Sequence, residues 1–147
     1  MDFSKANIPQ ILKYSMPERF QDMSPTDFED FIAQLFKEMG YSVEQTSYSG
    51  DFGADLLITK SRVKTVVQVK RYASSNKVGV KDINQVIGAK DYYKCKNALI
   101  VTTSDYTAPG KKLLNQSKVE NWNWNKLQNE ISKAYLNNKD IYEYYPT

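Results

Sequence analysis

One stretch of the sequence constrains the fold more than any other, because it joins two apolar strands through a helix. The strands are predicted over Lys64 to Tyr72 and Ala98 to Thr103. Between them, Val80 to Tyr93 carries apolar residues at helical spacing, which indicates a crossover helix. A short apolar strand reached through a helix is typical of a buried strand that runs parallel to its predecessor. The centre of the chain therefore predicts a parallel β-α-β unit.

An amphipathic helix is predicted well before this unit. Ser24 can cap it, Pro25 suits its first position and Asp27 completes a pattern like a capping box. Gly40 then supplies a left-handed stop. Its apolar residues recur at helical spacing and are Phe28, Phe31, Ile32, Leu35, Phe36 and Met39. We therefore expect one side of this helix to pack against the core.

The remaining elements complete an α/β pattern. Strands are predicted over Tyr41 to Thr46 and Ala54 to Thr59, with a turn-rich loop from Ser47 to Gly53 between them. After the apolar strand, Thr107 can cap a helix, a short strand follows over residues 119–124, and Asn125 can cap a last helix. We predict an αβββαβ core, with a four- to five-stranded mixed sheet flanked by helices on both faces.

The domain organisation is expected to be simple. A chain of 147 residues forms one compact domain. Residues 1–23 are interpreted as an N-terminal leader and residues 24–147 as a single domain. Its core is predicted over 24–127, and a C-terminal helix with an aromatic tail over 125–147.

Composition narrows the chemistry that such a domain can perform. The chain has no histidine and one cysteine, Cys95, which excludes the commonest general base, the commonest zinc ligand and an intramolecular disulfide. Any catalysis must use carboxylates, lysine or a metal with oxygen ligands. No apolar run approaches a membrane span, and residues 1–10 lack the features of a signal peptide, so we expect a cytoplasmic protein without a membrane partner.

The charges are unevenly distributed along the chain. Residues 60–96 carry ten lysines and arginines against two acidic residues, whereas residues 1–59 carry four against ten. This arrangement is expected if the acids include metal ligands and the lysines line a path for a polyanion. A solvated basic helix face is the alternative interpretation.

Three polar residues interrupt the apolar strands. Asp55 lies near the start of one strand, and Gln68 and Lys70 lie in the next. Because side chains alternate along a strand, Gln68 and Lys70 share a face, and Asp55 can join them if the strands pair. The Asp55 carboxylate, the Gln68 amide and the Val69 carbonyl offer oxygen ligands of the kind that Mg²⁺ prefers. We therefore predict a metal site where Lys70 holds an attacking water or neutralises charge on a phosphate.

The ordered set of motifs is similar to that of a known family. The set comprises Phe28-Glu29, Gly40-Tyr41, Gly50 to Asp55, Gln68 to Tyr72, Ile83 to Gly88 and Val101 to Thr103. Over residues 24–127 it resembles the Mrr-type restriction endonuclease domain, a branch of the PD-(D/E)xK nuclease superfamily. The resemblance implies a restriction-endonuclease-like fold. It also implies a metal-dependent DNA endonuclease that hydrolyses phosphodiester bonds with Mg²⁺, for which Mn²⁺ can substitute.

The resemblance also implies roles for individual residues. Asp55 matches the principal metal ligand and Lys70 the signature lysine. Gln68 stands where most of the superfamily has Glu or Asp, a substitution similar to that of the Mrr branch. Glu29 matches the helix glutamate, a second acid that acts on the metal directly or through a bound water. Asp51 matches the turn before the strand rather than the catalytic acid.

The implied partner is DNA. The residues expected to contact it are Lys64, Lys77, Lys81 and Gln85, the last in the crossover helix where the resembling family often has a polar residue facing the active site. A homodimer is expected because two DNA strands need two sites. A separate recognition protein is the other partner considered, since the leader looks too short to read a sequence.

Two alternative functions remain open at this stage. A Holliday-junction resolvase shares the fold and the order of acid, acid and lysine, but typically keeps Glu at the place of Gln68. A non-catalytic DNA-binding or interaction module that retains the nuclease fold is the alternative from another class. The three polar residues also have structural interpretations. Asp55 could be an acid that makes a turn hydrogen bond at the start of its strand, and Gln68 and Lys70 could lie on a solvated face of the sheet.

Overall fold

A computed structural model of the chain describes residues 1–46 and 53–136. The predicted loop around Asp51 lies mostly outside the described residues, and so does the aromatic tail. The helices are α1 (Ile8–Ser15), α2 (Pro25–Glu38), α3 (Val80–Tyr92), α4 (Ala108–Ser117) and α5 (Trp124–Ile131), the last continuing into a π-helical turn (Ser132–Leu136). The strands are β1 (Ser42–Gln45), β2 (Leu56–Lys60), β3 (Val63–Lys70), β4 (Asn97–Thr102) and β5 (Glu120–Trp122).

The five strands form one mixed sheet in the order β1-β2-β3-β4-β5. β1, β2 and β3 pair antiparallel, with Leu56 opposite Val67, and β3, β4 and β5 pair parallel, with Gln68 opposite Ile100. The parallel pair β3 and β4 is joined by α3, as a helical crossover requires. This arrangement confirms the predicted mixed sheet and the β-α-β unit at its centre.

Helices cover both faces of the sheet, as predicted. One face carries Leu56, Val67 and Leu99 and packs against α1, α2 and α5. The opposite face carries Val66 and Ile100 and packs against α3 and α4. Because successive side chains of β3 alternate between these two layers, the alternation also decides which layer each polar residue of β3 enters.

The helix boundaries follow the predicted caps with one correction. Ser24 accepts the Asp27 N–H at the start of α2, and Thr107 accepts the Gly110 N–H at the start of α4, each at 3.0 Å. The prediction that Asn125 caps the last helix is wrong. Asn123 is the cap, accepting the Lys126 N–H at 3.0 Å.

The earlier start of α5 has a tertiary cause. It places Trp124, which is 5% exposed, in the first turn of the helix, on the side that also buries Leu127 and Ile131. The backbone N–H of Trp124 also donates to the backbone carbonyl of Ser104 at 3.0 Å. Burial of the indole and this long-range bond therefore fix the start of the helix.

The segment interpreted as a leader is part of the core. Helix α1 buries Ile8 and Leu12, and the turns after it bury Met16 and Phe20, all against α2 and α5. The Phe20 ring lies 5.0 Å from that of Phe31 and 5.9 Å from that of Trp124, measured between centroids. Residues 8–23 therefore fold with the domain. Among the described residues, no helix combines the length and apolar character needed to cross a membrane.

Candidate active site at the end of strand β3

The candidate site begins where the pairing of β2 and β3 ends. One residue before β2, the Asp55 N–H donates to the Val67 carbonyl at 2.9 Å. The Asp55 side chain then continues the contact with β3, because its Oδ2 accepts the Val69 N–H at 2.7 Å. A carboxylate thus takes the place of the backbone acceptor that a longer β2 would have supplied. This bond fixes Asp55 beside the backbone of Val69.

Gln68 and Lys70 point toward the layer of α3, while Val67 and Val69 contact the opposite layer. This confirms that Gln68 and Lys70 share a face. Gln68 is 3% exposed, and its Oε1 has no hydrogen-bond partner among the described residues. A buried polar atom left without a partner costs about 1–3 kcal/mol. The amide oxygen is therefore the atom of this site that most needs a ligand.

Lys70 lies between an acid and an aromatic ring. Its Nζ is 3.7 Å from Oδ1 of Asp82 and 6.0 Å from the centroid of the Tyr72 ring. The Tyr72 hydroxyl donates to Oδ2 of Asp82 at 2.9 Å. Burial, this hydrogen bond and the Asp82 charge raise the pKa of Tyr72 to about 12, so the hydroxyl remains a donor at neutral pH.

Asp82 was not among the residues predicted from the sequence. Its one sequence signal is its position, an acid in the first turn of the helix that follows the lysine strand. That signal is ordinary for a helix start, and only the packing of α3 on the sheet brings the carboxylate to Lys70.

The backbone after Lys70 is anchored by residues distant in sequence. Thr102 donates through its hydroxyl to the Lys70 carbonyl at 2.8 Å, and Thr103 donates to the Tyr72 carbonyl at 2.7 Å. Gln21 donates to the Tyr72 carbonyl at 3.2 Å and accepts from the Arg71 guanidinium at 3.0 Å. Gln21 belongs to the segment interpreted as a leader, so sequence reasoning missed this anchor.

Glu29 lies on α2, in the layer opposite Gln68 and Lys70, and is half-buried. Within residues 1–46 and 53–136, no three His, Cys, Asp or Glu side chains lie close enough together to hold a metal ion. The predicted contribution of Glu29 to a metal therefore stays a prediction. The described geometry places the Asp55 carboxylate against the backbone of β3 near Gln68, whereas the other carboxylate of the site, that of Asp82, pairs with Lys70.

The crossover helix approaches the site closely at Gly53. This residue has φ +81°, and a Cβ there would overlap the backbone carbonyl of Gln85. Glycine is therefore required both by conformation and by space. The contact places Gln85 next to the segment that leads into Asp55, and its side chain is exposed.

The predicted DNA-binding lysines fall at two ends of the sheet. Lys77 and Lys81 are exposed, in the loop before α3 and in its first turn, and Lys81 directly precedes Asp82. Lys64 is near the start of β3, six residues from Lys70, which is about 20 Å along a strand. The structure brings Lys77 and Lys81 to the end of the sheet that carries Lys70 and leaves Lys64 at the other.

The oxygen atoms at the end of β3 are of the kind that bind a divalent metal. Asp55 supplies an anionic oxygen, Gln68 a buried amide oxygen without a partner in residues 1–46 and 53–136, and Val69 a backbone held against the Asp55 carboxylate. Such oxygen donors suit a hard cation such as Mg²⁺ or Mn²⁺. Asp55, Gln68 and Val69 therefore fit a divalent metal ion.

Comparison with known proteins gives the class to which this arrangement belongs. The sequence profile of the family Mrr_cat, described as restriction endonuclease, matches residues 20–131. No curated protein matches the chain significantly. The sheet and its flanking helices are those of a restriction-endonuclease-like nuclease domain. The chain belongs to the Mrr-type restriction endonuclease family.

Solved structures share the fold at low sequence identity. The DNA modification-dependent restriction endonuclease AspBHI aligns with a TM-score of 0.65 at 19% identity, over 91% of this chain and 39% of its own. The restriction endonuclease MspJI, in complex with a 27-mer oligonucleotide, aligns with a TM-score of 0.56 at 18% identity, over 88% and 32%. A protein of unknown function, AF1548, aligns with a TM-score of 0.62 at 13% identity, over 76% and 65%. The chain thus spans about a third to two thirds of the length of these proteins.

Proposed function

We propose that this nuclease domain is a metal-dependent DNA endonuclease that hydrolyses phosphodiester bonds with Mg²⁺, for which Mn²⁺ can substitute. The observation that carries the proposal is the Gln68 amide oxygen, buried and without a partner among the described residues, next to an acid and a lysine. A cation bound there would supply the missing partner. A solvated sheet face does not account for a residue that is 3% exposed.

The proposed metal ligands are Asp55, Gln68 and the Val69 carbonyl, with Glu29 as a further acid supplied from α2. When bound, the metal would supply a coordinated water of lowered pKa and positive charge near the phosphate. The Val69 N–H orients the Asp55 carboxylate through its bond to Oδ2. Lys70 would orient the attacking water or offset negative charge on the phosphate as the bond breaks.

The proposed substrate is DNA, consistent with the oligonucleotide bound by MspJI. Lys77, Lys81 and Gln85 are proposed to contact the backbone near the site, because they lie on α3 or in the loop before it. A homodimer and a separate recognition protein are proposed as partners. Recognition by another protein or segment is compatible with the 32% and 39% of MspJI and AspBHI that this chain spans.

Cleavage of supercoiled plasmid in Mg²⁺ or Mn²⁺ tests the proposal. We expect the wild type to cleave the plasmid and a metal chelator to abolish this cleavage. Asp55→Ala and Lys70→Ala should abolish it as well. Asp91→Ala and Lys112→Ala, two exposed residues on α3 and α4, are the matched controls and should retain the wild-type rate. A wild-type rate no higher than those of the Asp55 and Lys70 variants would refute the enzyme and favour a non-catalytic module. Preferential cleavage of four-way junctions would favour a resolvase.

A further inference from the structure

The Lys70 ammonium is held by two side chains of different elements. Nζ of Lys70 lies 3.7 Å from Oδ1 of Asp82 on α3, and it lies over the ring of Tyr72, just after β3. Tyr72 donates its hydroxyl to the other oxygen of the same carboxylate at 2.9 Å. Each of the three side chains therefore contacts the other two.

Asp82 is also supported by contacts that do not involve Lys70. It lies in the first turn of α3, where the helix dipole favours a carboxylate. Ile83 and Val86 on the same helix are fully buried and fix α3 against the sheet. The hydroxyl of Tyr72 fixes the orientation of the carboxyl group. The carboxylate therefore has supports in α3 and Tyr72 besides its ion pair with Lys70.

Lys70 needs such a support to act on a phosphate. A lysine side chain has four rotatable bonds and carries about 2 kcal/mol of rotamer entropy. A displacement of about 1 Å in a reacting group can cost about a hundredfold in rate. An ammonium that contacts both the Asp82 carboxylate and the Tyr72 ring has fewer rotamers open to it before substrate binds.

We propose, on the basis of the nuclease function above, that Asp82 and Tyr72 are positioning residues that hold the Lys70 ammonium at the end of β3 for the cleaved phosphate. The Asp82 side chain is 17% exposed and Tyr72 is half-buried, so neither is a free surface group. A role of Asp82 in DNA affinity is not supported, because an acid near a phosphate path weakens binding.

This charge argument separates a positioning role from a binding role. Removal of the Asp82 charge should leave the KM for DNA unchanged or lower it. The loss of a fixed Lys70 should appear in kcat, because the lysine acts in the chemical step. A fall in kcat without a rise in KM is the expected signature.

The test uses plasmid cleavage by the full chain with Mg²⁺. We expect Asp82→Asn to lower kcat by about tenfold or more, Tyr72→Phe to lower it less because the ring remains, and Asp82→Glu to recover part of the loss. Asp91→Asn, the same change at an exposed position of α3, should leave kcat unchanged. Thermal unfolding of each variant identifies any that fail to fold, and Tyr72→Phe carries the test if Asp82→Asn is one of them.

Wild-type kcat in both Asp82→Asn and Tyr72→Phe would overturn the inference. So would a rise in KM that accounts for the whole effect, or a loss in Asp82→Asn that follows a lowered melting temperature and that Asp82→Glu does not relieve. In each case a loss of cleavage in Asp55→Ala and Lys70→Ala would leave the proposed nuclease standing. Wild-type cleavage by those two variants would instead refute the nuclease proposal itself.

Discussion

Replacement of Gln68 by glutamate gives the sharpest test of the buried amide. Gln68→Glu keeps the size of the side chain and places a carboxylate at a residue that is 3% exposed. In the wild type, the amide oxygen at this position has no hydrogen-bond partner among the described residues. Without metal, burial and the neighbouring Asp55 disfavour its charged form, so the pKa of the new carboxyl should rise above its unfolded value. The variant should therefore be less stable than the wild type at neutral pH.

The size of this loss has an upper limit, because the new carboxyl can bind a proton instead of remaining charged. At pH 7, about 2.7 units above the usual glutamate pKa of about 4.3, protonation costs about 3.7 kcal/mol. For a 147-residue chain a loss near this limit lowers the melting temperature by about 7–15 °C. The loss should be fully present above the folded pKa and vanish as the pH falls below the unfolded pKa. At pH 5 the limit is about 1 kcal/mol.

Metal should reverse the effect. A second carboxylate beside Asp55 strengthens a divalent site, so at the same concentration Mg²⁺ or Mn²⁺ should stabilise Gln68→Glu more than the wild type. At a hundred times the Kd of the variant for the metal, the variant gains about 2.7 kcal/mol over its metal-free form. Thermal unfolding at pH 5 and pH 7, with and without metal, measures this. Gln116→Glu, the same change at an exposed position of α4, is the control. If Gln68→Glu behaves like the control at pH 7, or loses the same stability at both pH values, the reasoning about the buried amide is refuted.

Two further predictions concern the surroundings of the site. The double variant Lys77→Glu, Lys81→Glu should weaken DNA binding and flatten the dependence of binding on salt by about one unit of slope per lost contact. Lys64→Glu, at the other end of β3, should change the salt slope less. A slope in the double variant equal to that in Lys64→Glu would contradict a DNA path past Lys77 and Lys81. Gly53→Ala should lower the free energy of unfolding by more than about 2 kcal/mol because its Cβ would overlap the α3 backbone at φ +81°. At Gly88, apart from its neighbours in α3, no atom of the described part of the chain lies within 4 Å of an added Cβ, so Gly88→Ala should raise the free energy of unfolding by about 0.5–1 kcal/mol. Equal effects of the two substitutions in urea unfolding would contradict the steric argument at Gly53.

The sequence determined the layers of the fold and the identity of the polar strand residues. Period-two alternation decided that Gln68 and Lys70 share a face, and the helical spacing of apolar residues decided α2 and α3. The caps Ser24 and Thr107 were also readable, because each satisfies an N–H three residues away. These features depend on local geometry, which short stretches of sequence encode.

The tertiary structure decided what surrounds those residues. Asp82 reaches Lys70 only because α3 packs on the sheet, and Gln21 reaches the strand end across 50 residues because α1 and its turns join the core. The start of α5 likewise depended on the burial of Trp124. Such contacts follow from how whole elements pack, and no short-range pattern encodes them. The strands of the site could therefore be predicted from sequence, whereas the supports that hold its lysine could not.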